Sequence, residues 1–377
     1  MIQAPGIALT LLAFVFLIGP LVFVHELGHY LVGRWFGVKA EAFAIGFGRE
    51  IAGWTDKRGT RWKVGWLPLG GYVRFAGDMN PASQPSADWL ALPAAERNRT
   101  FQAKPVWQRA LIVAAGPAVN FIVAFVILTA FAAAFGDART PATVAAVTPG
   151  SAAAAAGLRP GDRIVALGGR EVATFDDIVG YVRIHPGERA RLDYLRAGAE
   201  ASTPVVIGAT ALVDRFGNRF RIGQLGVAST RPVIVPVSTL EAPGVALRRT
   251  GELLRFMGDT IGQIVTGTRS VKELSGPVGM ARVAGQQFSL GLLDFINLVA
   301  LVSLNLAIVN LLPIPMLDGG HLLFYAIEAV RRKPVEQRTM EWAFRGGLAA
   351  ILALFAVVTF NDLGSAGLWH RLAGLIG

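Results

Sequence analysis

Apolar residues in this chain gather into four long runs, separated by polar stretches of very different length. Gly6 to Phe36, Val106 to Phe135, Leu290 to Leu312 and Trp342 to Phe360 are each long enough to cross about 30 Å of hydrocarbon as a helix. Trp107 and Arg109 open the second run as residues of a membrane interface do. Between the first two runs, residues 43–75 read as strand. Arg61-Trp62-Lys63-Val64-Gly65-Trp66 alternates polar with apolar or small residues, and Gly46, Gly48, Gly53, Gly59, Gly70 and Gly71 punctuate the stretch. Ala82 to Arg99 is polar and predicted mobile. Between the second and third runs, residues 138–230 predict a compact α+β insert, with strands over Ala142 to Val147 and Arg163 to Leu167 and a helix over Phe175 to Arg183. From Glu241 to Thr268, Leu247, Leu254, Met257, Ile261 and Ile264 recur at helical spacing with arginines between them. That is the pattern of a helix lying on a membrane surface, and the tail around Leu368-Trp369-His370-Arg371-Leu372 is predicted to do the same.

The predicted fold is therefore a multi-span α-helical membrane protein with four transmembrane helices, a β-loop and an inserted α+β domain. Its segments are 1–36 (first span), 37–104 (β-loop and polar linker), 105–136 (second span) and 137–235 (insert). There follow 236–289 (surface helix and linker), 290–330 (third span), 331–361 (connection and fourth span) and 362–377 (tail). Met1-Ile2-Gln3 lacks the basic start of a signal peptide, so the first run is predicted to be retained as a span. Lys and Arg are frequent from Arg34 to Arg109, and Arg331, Arg332, Lys333 and Arg338 follow the third run. The positive-inside rule places both loops, and with them the β-loop, on the cytoplasmic side. Residues 137–240 are also basic, but long domains cross largely regardless of charge. The insert and both termini are predicted on the opposite face, in a bacterium the periplasm.

Composition narrows the chemistry. Of 377 residues 53% are hydrophobic and only 16% charged, which excludes a wholly soluble chain. The net charge of +10 is spread through loops without a nucleic-acid motif, so the lipid bilayer with its anionic headgroups is the expected partner. The chain has no cysteine, so a metal must be held by His, Asp or Glu.

The end of the first run carries such ligands. His25-Glu26-Leu27-Gly28-His29 is an H-E-x-x-H motif, whose imidazoles lie about 40° apart around a helix and can share one metal. Glu26 is placed to act as general base. Ionisable groups are costly in hydrocarbon, so their presence there points to function. Zinc sites that perform catalysis use three protein ligands. His185 lies in the insert and His370 in the tail, which leaves Asp318 and His321 as candidates. They follow the third run in Asn310-Leu311-Leu312-Pro313-Ile314-Pro315-Met316-Leu317-Asp318-Gly319-Gly320-His321. Both runs travel in the same direction, so His25, His29 and Asp318 reach similar depth. Pro313 and Pro315 break the helix, and irregular backbone at that depth must line a wet cavity or be buried in protein.

Together these motifs resemble the site-2 protease family, and more closely its bacterial RseP-like (regulator of sigma-E protease) intramembrane zinc metalloproteases. Gly116-Pro117-Ala118-Val119-Asn120 resembles the family's G-P-x-x-N, and Gly157-Leu158-Arg159-Pro160-Gly161-Asp162-Arg163-Ile164 resembles a PDZ signature. The insert has room for one PDZ domain, not two. The resemblance implies one zinc ion per chain on His25, His29 and Asp318, with His321 a neighbour, and Glu26 as the proton carrier of peptide hydrolysis. It also implies that the β-loop holds an unwound substrate by β-addition. Substrates would be single-span membrane proteins, such as anti-sigma factors already trimmed by another protease, or remnant signal peptides. New C-termini are candidate ligands of the PDZ domain, and localisation would be the bacterial inner membrane. Asn310 and Asn305 are candidates to hydrogen-bond the substrate, although these and Asn120 can equally serve as bonds between helices. The competing classes are a non-enzymatic membrane adaptor with a structural metal and a transporter. A structural zinc needs no general base, and no inverted repeat is visible.

Overall fold

The computed structural model describes residues 6–77, 93–213, 219–266 and 276–365. Most of the predicted polar stretch at 82–99, and the whole of the predicted surface segment at 368–372, lie outside the described residues. The chain forms two compact units, Met1–Leu128 with Leu274–Leu363 and Thr129–Glu273 with Gly364–Gly377.

The first unit begins with α1 (Ile7–Trp35). A hairpin follows, β1 (Ala40–Thr55) and β2 (Arg61–Phe75). The glycines divide it. Ala40 to Phe47 pairs with Phe75 back to Leu67, and Glu50 to Thr55 pairs with Gly65 back to Arg61, the turn falling where Gly46 and Gly48 hold positive φ. Phe43, Phe75, Tyr30 and Ile112 form one core that fastens the hairpin to α1 and to the start of α3. The short α2 (Ala94–Arg97) and long α3 (Val106–Phe135) complete this half. Gly28 of α1 allows α3 to come close, since a Cβ there would stand 2.5 Å from the Ala115 carbonyl oxygen.

The second unit contains the last turns of α3 and the insert. In order, the insert holds β3 (Asp137–Arg139), β4 (Val144–Val147), α4 (Ala152–Ala155), β5 (Arg163–Leu167), β6 (Arg170–Glu171) and α5 (Phe175–Ile184). Then come β7 (Arg189–Arg196), β8 (Ala199–Val206), β9 (Gly208–Val213), β10 (Arg219–Gln224), β11 (Val227–Ser229) and β12 (Val233–Val235). A four-stranded sheet of order β6-β5-β7-β8 buries Ile164, Leu167, Leu192 and Val205 against Ile178 and Val182 of α5. Thr174 and Asp177 form a capping box that fixes where α5 begins. Asp162 accepts 2.8 Å bonds from Arg196 Nε and Nη2 and a 2.7 Å bond from the Arg159 amide, which locks the turn into β5. β11 returns to pair with β4 and β12 with β3. The amphipathic α6 (Ala242–Val265) packs Ala242 and Val245 on Ala132 of α3.

The chain then re-enters the first unit. α7 (Pro277–Leu290), within the segment predicted as surface helix and linker, buries Gly279, Ala281, Ala284 and Gly285. Ala284 packs with Ala13, Leu17 and Leu21 of α1. Its small residues have no strong periodicity to announce them. α8 (Leu292–Leu311), α9 (Asp318–Arg331) and α10 (Gln337–Ser365) follow. Asp362 of α10 accepts a 2.7 Å bond from the Gly279 amide at the start of α7. Among the described residues, four helices are long and apolar enough to cross a membrane: Ile7–Trp35, Val106–Phe135, Leu292–Leu311 and Arg338–Phe360.

Candidate metal centre

His25 and His29 are one turn apart on α1, and Asp318 opens α9 after the Pro313–Pro315 break. Folding brings them together. His25 Nε2 lies 3.3 Å from His29 Nε2 and 3.2 Å from Asp318 Oδ2, and His29 Nε2 lies 3.6 Å from Asp318 Oδ1. Ligand atoms about 2.05 Å from a tetrahedral ion stand roughly 3.4 Å from one another. The trio is spaced as one small ion requires, and among the described residues no group donates a well-aligned hydrogen bond to the buried Asp318 Oδ2, which faces His25 Nε2. Nitrogen and carboxylate donors, with no thiolate, suit zinc.

α3 orients both imidazoles. His29 Nδ1 is 2.9 Å from the Ile112 carbonyl oxygen, so Nδ1 carries the proton and Nε2 is left free to ligate. His25 Nδ1 is 3.1 Å from the side-chain amide of Asn120, which is fully buried. The Asn120 carbonyl accepts a 2.9 Å bond from Ser303 Oγ of α8. Four residues before Asn120, Gly116 leaves the space that the imidazoles occupy. A Cβ there would fall inside contact distance of His29 Nε2 and 2.9 Å from His25 Cε1.

Glu26 is buried beside His25, at 9% exposure. β2 crosses it at Gly71, where a Cβ would stand 2.9 Å from Glu26 Cγ, and the Val73 backbone reaches its carboxyl group. Behind the site, Arg109 pairs with Glu328 at 2.7 Å, both largely buried, and lies over the Tyr325 ring. This ties α9, and with it Asp318, to the start of α3.

The model of Peptidase family M50 matches residues 13–354. The chain belongs to peptidase family M50, the site-2 protease family. It is 43% identical over 357 residues to a protein of Agrobacterium fabrum named "Putative zinc metalloprotease Atu1380", covering 93% of this chain and 95% of that one. It is 36% identical to Metalloprotease MmpA of Caulobacter vibrioides over 398 aligned positions, covering 98% and 99%. Among solved structures, GtR34C from Geobacillus thermodenitrificans overlaps 19% of the chain at 32% identity with a TM-score of 0.17. This M50 peptidase is thus a zinc metallopeptidase and a membrane protein.

Of the predicted site residues, the fold brings His25, Glu26, His29 and Asp318 to one place. His321 stands one turn along α9, with its ring 4.8 Å from that of Phe344. Asn305 is exposed on α8 and Asn310 half-buried in its last turn. Among the described residues no hydrogen bond joins either to the trio. Asn120, read from sequence mainly as a bond between helices, touches a metal-ligand candidate directly. The signal lies in G-P-x-x-N itself: Gly116 and Asn120 are four residues apart, so one helical face offers both the gap and the amide that reaches across it.

Proposed function

We propose that this M50 peptidase is an intramembrane endopeptidase that cleaves transmembrane segments of single-span proteins in regulated intramembrane proteolysis. The observation that carries this reading is the convergence of His25, His29 and Asp318 beside buried Glu26, in a chain whose described residues include four helices long and apolar enough to cross a membrane. His25, His29 and Asp318 would hold one zinc ion, which when bound supplies a Lewis acid and lowers the pKa of water to about 7. Glu26 takes the proton of the attacking water and returns it to the leaving amine. The Ile112 carbonyl holds His29 in the required tautomer, and Asn120 would do the same for His25 with its amide oxygen turned towards Nδ1.

A transmembrane helix hides its peptide bonds in its own hydrogen bonds, so a substrate must unwind before attack. Among the described residues, 67–75 of β2 pairs on one side only and passes Glu26 at Gly71. An extended segment added along that strand would run past the general base. Asn310 and Asn305 would hydrogen-bond the unwound backbone from α8. Anti-sigma factors already trimmed outside the membrane, and remnant signal peptides, are the substrate classes that fit. The basic loops support a bacterial inner-membrane orientation with the metal site towards the cytoplasm and the insert in the periplasm. The insert, built on the G-L-x-P-G-D turn around Asp162, is read as a single PDZ domain that binds new C-termini or excludes bulky ectodomains.

Glu26→Gln tests the assignment. It should retain zinc by elemental analysis and lose cleavage of a tagged single-span substrate in proteoliposomes. Cleavage at the parental rate would refute Glu26 as the proton carrier.

A further inference from the structure

We propose that the junction of α3, β3, β12 and α6 is a binding site for anionic phospholipid at the face where α3 leaves the membrane. This rests on the membrane reading of the chain and not on the protease reading. The apolar helix α3 ends at Phe135, and Asp137 follows after one glycine, so covalent continuity fixes Asp137 at the membrane boundary. Asp137 is buried and clasped by three arginines. Arg139 Nε, at 2.5 Å, and Arg248 Nη2 both donate to Oδ2, and Arg249 Nη2 donates to Oδ1 at 3.0 Å. Arg248 also faces Glu252 at 3.5 Å. Three guanidinium groups against two carboxylates leave the cluster with a net positive charge. The carboxylate that fixes it is 3% exposed, whereas Arg139 and Arg248 are 43% and 41% exposed. Each guanidinium has five N–H donors, so most remain available to a phosphate.

The apolar half of the site surrounds the arginines. β12 pairs with β3, Val233 opposite Arg139 and Val235 opposite Asp137, and Val233 and Ile234 are 53% and 65% exposed. Leu240, just before α6, and Leu247, in its second turn, are 93% and 66% exposed. α6 is held here because Ala242 and Val245 pack on Ala132 of α3. Exposed aliphatic side chains beside fixed, partly exposed arginines, at the end of a span, match the acyl chain and phosphate of a lipid headgroup region.

The test uses the full-length protein in detergent, titrated with phosphatidylglycerol or phosphatidylcholine and read by native mass spectrometry. Phosphatidylglycerol should be retained preferentially. Arg248→Gln with Arg249→Gln should weaken its retention by about five-fold per arginine, leaving phosphatidylcholine unchanged. Leu240→Ser with Leu247→Ser, which leaves the Asp137 cluster intact, should also weaken retention. A measurement on the unaltered protein stands beside these: photo-crosslinkable phosphatidylglycerol should label peptides containing residues 133–139 and 233–250. Equal retention of the two lipids, labelling confined to other segments, unchanged retention in the arginine variant, or displacement of the lipid by millimolar inorganic phosphate would each overturn the proposal.

Discussion

Asn120→Ala removes a side chain that touches neither water nor any expected path of substrate, yet it should loosen zinc. His25 presents Nε2 to Asp318 and His29, so ligation through Nε2 requires the proton on Nδ1 and an acceptor opposite it. Asn120, whose Nδ2 is 3.1 Å away, is the group in position, and among the described residues its buried Oδ1 has no hydrogen-bond partner. The amide oxygen must therefore turn towards Nδ1 when the metal is held. Truncation leaves a buried N–H unpaired, at a cost of about 1–3 kcal/mol, which corresponds to a 5- to 150-fold weaker site. Partners of metal-bound histidines elsewhere are worth 10- to 100-fold in affinity, the same range. The assay is zinc competition against a chromophoric chelator on the purified full-length enzyme. Asn120→Asp, which keeps an acceptor, should bind zinc at least as tightly as the parent. If Asn120→Ala binds zinc within two-fold of the parent while His25→Ala does not bind, Asn120 does not orient His25 and the argument fails.

Three further outcomes follow from neighbouring contacts. Gly116→Val places a branched side chain against both imidazoles and should abolish zinc binding by elemental analysis, with helix content by circular dichroism preserved. Arg109→Met leaves Glu328 buried and unpaired, costing about 3 kcal/mol. Since α9 carries Asp318, the thermal midpoint and zinc affinity should fall together, and adding Glu328→Gln should recover part of both. In the insert, hydrogen bonds from Arg196 hold the Asp162 carboxyl below the usual carboxylate range. Its contribution is complete above the unfolded value near pH 4 and disappears as pH falls through the lower folded value. Hydrogen exchange of β5 and β7 amides in the full chain should accelerate over that acid window. Asp162→Asn should accelerate it already at pH 7 and flatten the pH dependence. Unchanged exchange in that variant would refute the role given to the pair.

The four spans were legible because lipid imposes one simple rule, a long apolar run; H-E-x-x-H announces a metal by its spacing, while Asp318 is preferred to His321 in the sequence only through the family resemblance. The hairpin was legible as strand from the alternation in 61–66, and its fold at Gly46 and Gly48 was marked by glycine. What sequence left unresolved depends on contacts between distant segments. α7 buries glycine and alanine against α1, and small residues give almost no periodic signal. Asn120 and Asn310 look alike on apolar helices, and only the approach of α3 to α1 distinguishes the one beside His25. Asp318 and His321 are one turn apart on α9, and the packing of His321 on Phe344 separates them.

The candidate metal centre is encoded as much in absent side chains as in its donors. Helices in lipid gain little from burying apolar surface against one another and associate through close van der Waals contact, which small residues permit. Donor atoms 3.2–3.6 Å apart on α1 and α9, oriented by α3, require backbones closer than ordinary side chains allow. Gly28, inside the H-E-x-x-H motif, lets α3 approach α1; Gly116 opens the pocket for both imidazoles; Gly71 lets β2 lie on Glu26. Gly116 meets the imidazoles themselves, Gly28 meets the α3 backbone at Ala115, and Gly71 meets the Ala44 carbonyl, Val22 and Glu26 together. A side chain at any of the three would separate elements whose donors are otherwise intact. Such a variant would keep His25, His29 and Asp318 and still lose the arrangement that brings them together.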